Sequence, residues 1–408
     1  MTSLLQRAVR RRLGTALILG AAIAVPVIGL AGPASAALSG TGWSEATIPA
    51  PWDFVNAAPL SPISCVHGTQ YCVVIAGNDA VTGENGLIGQ GDLVTTDGGT
   101  SWTGYTDLPS TSMIVTAISC PTKKVCWASG PGPSDQPEVA RSADGGQTWK
   151  LETPAAWQQA TYSWWPNSID CVSTSTCWLA GQTANSTQNP EVAVTTDAGT
   201  DWTTFSDLPT VTPDSNGDTY ALNGISCVSA DSCVAVGGIN GGAGPATVIS
   251  TTNGGTSWSL STAPALSSVQ DFFSVSCVAG PSGSTEVACH AAGAALEAAG
   301  PVELQSEDGG NTWSGLQTFD VTGWLNSISC ANLRHCWAAS SGTTVALAGT
   351  SDGGKSWSTV TSDTSNEDGS VSCATADFCV ATTDGGLWVT ADDGGLDTAS
   401  SSSALAGS

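Results

Sequence analysis

Ser119-Cys120-Pro121-Thr122-Lys123-Lys124-Val125-Cys126-Trp127-Ala128 sets two cysteines close together between two short apolar runs. The arrangement recurs as Cys65/Cys72, Cys120/Cys126, Cys171/Cys177, Cys227/Cys233, Cys277/Cys289, Cys330/Cys336 and Cys373/Cys379. First members of successive pairs stand 55, 51, 56, 50, 53 and 43 residues apart. A period near fifty suits a propeller blade of four short strands, not a helical or leucine-rich repeat. The spacing predicts an all-β chain of seven blades, each with an inner strand such as Ala117-Ile118-Ser119-Cys120 and a second strand that opens at the later cysteine. Each cysteine pair then forms a disulfide across one hairpin. The closed loop is short, so chain entropy gives about 2 kcal/mol or less per bridge. The larger service is to fix register, which a one-residue slip would invert.

Disulfides require an oxidising compartment, and the N-terminus supplies the route to one. Arg7, Arg10, Arg11 and Arg12 precede an apolar stretch from Leu13 to about Gly32, followed by Ala34-Ser35-Ala36. This reads as a signal peptide over residues 1–36, with the Sec and twin-arginine routes both open. No cysteine precedes Cys65, which argues against a lipid anchor. The mature chain, expected to be secreted and monomeric, comprises a propeller over 37–397 and a disordered Ser/Ala-rich tail over 398–408. It carries 6 basic residues against 35 acidic ones, a formal charge of −29. Such a surface repels phosphate, so nucleic acid and anionic lipid are excluded as partners.

A second motif keeps phase with the cysteines: Thr96-Asp97-Gly98-Gly99-Thr100-Ser101-Trp102, then Asp144 to Trp149, Asp197 to Trp202, Asn253 to Trp258, Asp308 to Trp313 and Asp352 to Trp357. Six copies resemble the Asp-box, or BNR, repeat of sialidase-like β-propellers. The resemblance implies that each box joins the third and fourth strands of a blade. Asp folds back on turn amides, Gly takes positive φ, and Trp fills the space between neighbouring sheets. A seventh copy at Asp392 breaks off without a Trp. Thr41-Gly42-Trp43-Ser44 has the Trp and its strand but no box. Residues 41–50 are therefore expected to supply the outer strand of the last blade and close the ring, leaving no sheet edge at the seam.

This geometry puts boxes and disulfide hairpins on one rim and the irregular loops on the other. The irregular rim is rich in rings: Trp52, Phe54, Trp157, Tyr162, Trp164, Trp165, Tyr220, Phe272, Phe273 and Trp324. Two readings stand side by side. Trp52, Trp157, Tyr162, Trp164, Trp165, Tyr220 and Trp324 form a platform for sugar rings or a peptide, or several rings plug the central channel. Trp43 and the six box tryptophans are assigned to the core, with Trp127, Trp178 and Trp337. His290 shares the slot of those three and is expected to be buried and hydrogen-bonded. Asp170 stands where other blades have Ser64, Ser119, Ser226, Ser276, Ser329 or Ser372, as a hydrogen-bonded substitute or an acid near the axis.

The sialidase resemblance implies three substrate-clamping arginines, but beyond residue 36 the only arginines are Arg141 and Arg334, both assigned to the hairpin rim. Sialidase chemistry is thereby excluded. Xyloglucanase-like propellers need only a carboxylate pair, for which Asp53, Asp170, Asp271 and Asp320 are candidates. Resemblance to photosystem II assembly factors implies a scaffold without catalysis, although their basic patch is missing here. No transition-metal site or cofactor is expected. Asp214-Ser215-Asn216-Gly217-Asp218 has some character of a calcium loop but the wrong glycine position for an EF-hand. The expectation is a secreted propeller that binds a polysaccharide or an extracellular protein, with a glycoside hydrolase or an assembly scaffold as alternatives.

Overall fold

The computed structural model describes residues 42–396, apart from 51, 54–61, 83–87, 109–112, 133–134, 158–162, 185–188, 206, 213–218, 240–244, 297–299, 320, 322, 343–345, 362–368 and 384–385. The expected leader and tail, and also Phe54, Tyr162, the Asp214–Asp218 loop and Asp320, lie outside the described residues.

Seven antiparallel sheets follow one another along the chain, each running inner, second, third and outer strand. Blade 3 is representative, with Trp164–Cys171, Cys177–Thr183, Pro190–Thr195 and Thr203–Phe205. The seven inner strands touch in a closed circle, and the strand of blade 7 meets that of blade 1. In blade 1 the inner position is shared by Ile63–Cys65 and Trp52–Asp53, which pair with successive parts of Cys72–Thr82. Blade 7 takes its outer strand from the N-terminus, as expected: Trp43, Ser44 and Glu45 pair with Thr390, Val389 and Trp388.

All seven expected disulfides form, each within one hairpin and with Cα atoms 4.0 Å apart: Cys65–Cys72, Cys120–Cys126, Cys171–Cys177, Cys227–Cys233, Cys277–Cys289, Cys330–Cys336 and Cys373–Cys379. The second member of each pair opens a second strand and lies in the core. Cys72, Cys126, Cys177, Cys289 and Cys336 are 0 % exposed, and Cys233 and Cys379 are 1 % exposed. These sulfurs are packing atoms as well as cross-links. No disulfide crosses between blades, so hydrogen bonds and packing hold the ring together.

The residue before each first cysteine accepts the backbone N–H of the corresponding cysteine in the next blade. Ser64 serves Cys120 at 2.8 Å, Ser119 serves Cys171 at 3.0 Å, and Ser226 serves Cys277 at 3.0 Å. Ser276 serves Cys330 at 3.0 Å, Ser329 serves Cys373 at 2.9 Å, and Ser372 serves Cys65 across the seam at 3.0 Å. Asp170 completes the belt, its Oδ2 accepting from Cys227 at 2.7 Å. A side chain with an acceptor oxygen is required there because the inner-strand N–H of each first cysteine, facing the preceding blade, has no ladder partner.

The Asp-Gly-Gly turns are built by side chains. Thr95 Oγ1 donates to Asp97 Oδ1 and accepts the N–H of Gly99, while Asp97 accepts the Ser101 N–H at 3.0 Å and its hydroxyl at 2.6 Å. These donors, led by the Ser101 hydroxyl, hold the Asp97 carboxyl below the usual range. In the first six turns the residue after the Asp or Asn, a glycine except for Ala198, ties back to the disulfide hairpin, as Gly145 does to Lys124 O at 2.8 Å. Turns and hairpins therefore share one rim. Gly99 at φ 80° packs so tightly that a Cβ would stand 2.5 Å from Val389 of blade 7.

Each turn tryptophan reaches the preceding blade. Trp43 meets Trp337 edge-on at 5.0 Å, Trp202 meets Trp127 at 6.1 Å, and Trp258 meets Trp178 at 5.9 Å. The apolar core is thus a set of inter-blade seams.

Candidate functional site: the channel mouth

The inner strands of blades 3 to 6 are longer than those of blades 1, 2 and 7 and carry β-bulges at matching heights, at Pro166/Ser168, Leu222/Gly224, Phe272/Ser274 and Leu325/Ser327. A bulge re-aims the side chains beside it. In blades 3, 4 and 5 it also pushes an inner-strand carbonyl against a glycine of the second strand. A Cβ on Gly181 or Gly237 would stand 1.9 Å from the carbonyl oxygen of Trp165 or Ala221, and on Gly293 2.0 Å from that of Asp271. These glycines stand four residues after the second cysteine, a signal present in the sequence and not used in its reading.

The bulge places Asn167, Asn223, Phe273 and Asn326 at equivalent positions on the wall of the mouth. Asn167 Nδ2 donates to Leu222 O of the next blade at 2.9 Å. Asn223 Nδ2 donates to Phe272 O at 2.9 Å and to Asp271 Oδ1 at 3.0 Å. Asn326 Nδ2 is buried without an acceptor among the described residues.

The structure divides the rings expected to form a platform. Trp157 and Trp164 are each 2 % exposed and pack edge-on at 5.6 Å, with Trp157 also against Trp202. Tyr220 is 1 % exposed, its hydroxyl donating to Pro209 O at 2.7 Å, and Phe272 is fully buried. Trp164 faces a seam because alternate residues of its inner strand point to opposite blades, while Trp157 in the turn before that strand and Tyr220 just ahead of the next pack into the same kind of apolar seam; all three are inter-blade core. A ring with no free face cannot stack on a ligand, which removes them from the platform.

Trp165 and Trp324 remain partly exposed. Trp165 Nε1 donates to Asp135 Oδ1 of blade 2 at 3.2 Å, and the Ser163 hydroxyl donates to Asp135 O at 3.0 Å. Asp135 has a φ of 61°, a left-handed conformation uncommon outside glycine. Trp324 packs against Phe273 at 6.1 Å with a tilt of 47°. Trp52 and Asp53 are placed by backbone alone, on the channel-side edge of blade 1 opposite Asn78 and Gly77.

Three carboxyls accompany the rings. Asp271 is 7 % exposed, and burial pushes it up to about 8 against the opposing hydrogen bonds of Phe272 and Asn223. Burial alone raises Glu191, opposite Gly181, to about 7; no sequence motif marks this residue. Asp170 is raised to about 6 by desolvation, partly offset by the Cys227 and Cys171 amides, while keeping some access to channel water. Asp170 directly precedes its cysteine and Asp271 stands six residues above its own. Because the bulge adds a residue without adding height, Asp170 lies opposite Trp178 and Asp271 opposite Ala294, and their strand heights differ by about 13 Å, which is too far for a hydrolytic pair.

The basic residues are elsewhere. Lys123, Lys124 and Arg334 lie at disulfide hairpins, and Arg141, Lys150 and Lys355 lie within or beside the turns. A polar groove of about 580 Å³ on that same rim, bordered by Ser232, Thr252, Glu286 and Asp308, follows from the longer Cys277–Cys289 hairpin.

No family model and no curated protein sequence matches this chain. Solved structures do. The structure of YCF48 bound to D1 peptide superposes with a TM-score of 0.54 at 15 % identity, over 88 % of this chain and 100 % of that one. The BP39L lectin from Burkholderia pseudomallei gives 0.54 at 13 % identity, over 83 % and 97 %. An ulvan lyase of polysaccharide lyase family PL25 gives 0.51 at 10 %, over 86 % and 95 %. At such identities the likeness is one of fold: this chain is a seven-bladed propeller resembling the YCF48 type.

Proposed function

We propose that this chain is an exported propeller that binds an uncharged carbohydrate at the channel mouth, without catalysing its cleavage. The observation that carries this reading is Trp165, a partly exposed ring on the one irregular rim, with its indole N–H held by a carboxylate on a left-handed residue of the neighbouring blade. Backbone strain and a fixed rotamer are the marks of a pre-organised contact residue. Trp324 with Phe273 would offer a second face, and Glu191 and Asp271 hydrogen-bonding groups. An aromatic face beside polar acceptors suits the apolar face and hydroxyl edge of a sugar. With all six downstream cations on the far rim, an anionic glycan has no partner at the mouth.

The repeated turns further support membership of the Asp-box group, and the solved propellers named above include a lectin, a polysaccharide lyase and a peptide complex. A peptide ligand or an assembly partner is the competing reading. Retention of the oxidised protein on insoluble neutral and anionic polysaccharides separates them. Selective retention on a neutral polymer is expected. Binding only to anionic polymers, or to none, would overturn the reading and favour a protein partner.

A further inference from the structure

The residue after the second cysteine faces the next blade. It is Val73, Trp127, Trp178, Val234, Trp337 or Val380 in six blades and His290 in blade 5. A second departure lies beside it. Glu303 is fully buried where blades 2, 3 and 4 carry Val139, Val192 and Val248. His290 Nδ1 and Glu303 Oε1 are 2.7 Å apart, and the imidazole meets Trp357 edge-on at 6.4 Å. Gly354 of blade 6 gives the imidazole room, since a Cβ there would stand 2.9 Å from its Cε1.

This dyad abuts the Cys330–Cys336 disulfide of blade 6. A ring nitrogen of His290 and both sulfurs all lie within 4.8 Å of one another, the one such group among the described residues. With Zn–S near 2.3 Å and Zn–N near 2.0 Å, tetrahedral zinc wants these atoms about 3.5 to 3.8 Å apart. Side-chain movements of about 1 Å would close the set once the sulfurs are unlinked. Glu303 occupies Nδ1, which leaves Nε2 for a metal and fixes the ring, as carboxylates behind metal-binding histidines do.

We propose that the junction of blades 5 and 6 is a redox-gated site for a zinc-class divalent cation, with His290, Cys330 and Cys336 as ligands and Glu303 as the orienting partner. In the oxidised protein the sulfurs are bonded to each other and the site is closed. A dithiol reductant gives two electrons to the S–S bond, yielding two protein thiols and the oxidised, cyclic dithiol. Metal binding then displaces two protons from these thiols, leaving a fourth coordination position open. At the other six junctions the slot residue is Val or Trp, so reduction there yields two thiols and no third ligand.

The test is a competition among the seven pairs. The whole protein is reduced with dithiothreitol, freed of reductant without oxygen, given one equivalent of Zn²⁺ and alkylated with N-ethylmaleimide, and each cysteine is followed by peptide mass. Cys330 and Cys336 should react about tenfold more slowly than the other pairs. The double substitution His290→Val with Glu303→Val installs the side chains that other blades carry and should abolish that protection. Glu303→Gln, which keeps all three ligands, should weaken Zn²⁺ binding about 10- to 100-fold. Equal alkylation of all seven pairs, or protection unchanged in the double variant, would overturn the proposal.

Discussion

Replacing Trp43 by Ala tests how the ring is held, because no disulfide crosses the seam. Trp43 is 2 % exposed and packs edge-on against Trp337 in a cluster with Leu396 and Trp388. Burying a tryptophan removes about 150 to 250 Å² from water, worth about 4 to 6 kcal/mol at 25 cal/mol per Å². Truncation to Ala in a packed core costs about 3 to 5 kcal/mol. The three-residue strand adds only the pairing of Trp43–Glu45 and the Ala46 N–H to Leu387 O bond at 2.7 Å. The packing therefore dominates. For a chain of this length the loss corresponds to a fall in Tm of about 4 to 7 °C. Calorimetry with disulfides intact reads this directly, with Ser44→Ala as the control, since that side chain is exposed. A Trp43→Ala protein that melts within about 1 °C of the parent would refute a seam closed by this strand.

Other outcomes follow from the same structure. His290→Val alone strands Glu303 in the core and should cost about 3 to 5 kcal/mol, whereas the His290→Val, Glu303→Val pair should return to within about 1 kcal/mol of the parent in denaturant melts. Asp271 binds its proton more tightly folded, at about 8, than unfolded, at about 3.9, so its contribution falls as pH rises through that interval. Asp271→Asn should remove that part of the decline, seen as a smaller Tm difference between pH 5 and pH 8. Gly237→Ala should destabilise by more than about 2 kcal/mol, because its Cβ would meet the Ala221 carbonyl oxygen; an unchanged melt would contradict the bulge geometry.

The fold was legible because its determinants are local and repeated. Cysteine spacing gave the blade count, the turn motif gave the rim, and the orphan Trp43 beside an orphan Asp392 turn gave the closure. The mouth was less legible. Trp164 and Trp165 are neighbours with opposite fates, and which one faces the seam depends on the bulge two residues later. Gly181, Gly237 and Gly293 mark that bulge, but each reads as an ordinary strand glycine until the facing carbonyl is in view. The belt hydroxyls were visible as a column of serines, with Asp170 as the exception. Their role depends on the next blade, about fifty residues away, and no short window of sequence contains both partners.

The most direct measurement is retention on whichever neutral polysaccharide the protein binds, comparing the parent with Trp165→Ala, Trp324→Ala and, as a far-rim control, Lys150→Ala. Loss of a ring stacked on a ligand costs about 1 to 2 kcal/mol, or about tenfold in Kd. Weakening of that order for Trp165→Ala and Trp324→Ala, with Lys150→Ala unchanged, is the predicted result. Equal retention of all four proteins would contradict binding at the channel mouth.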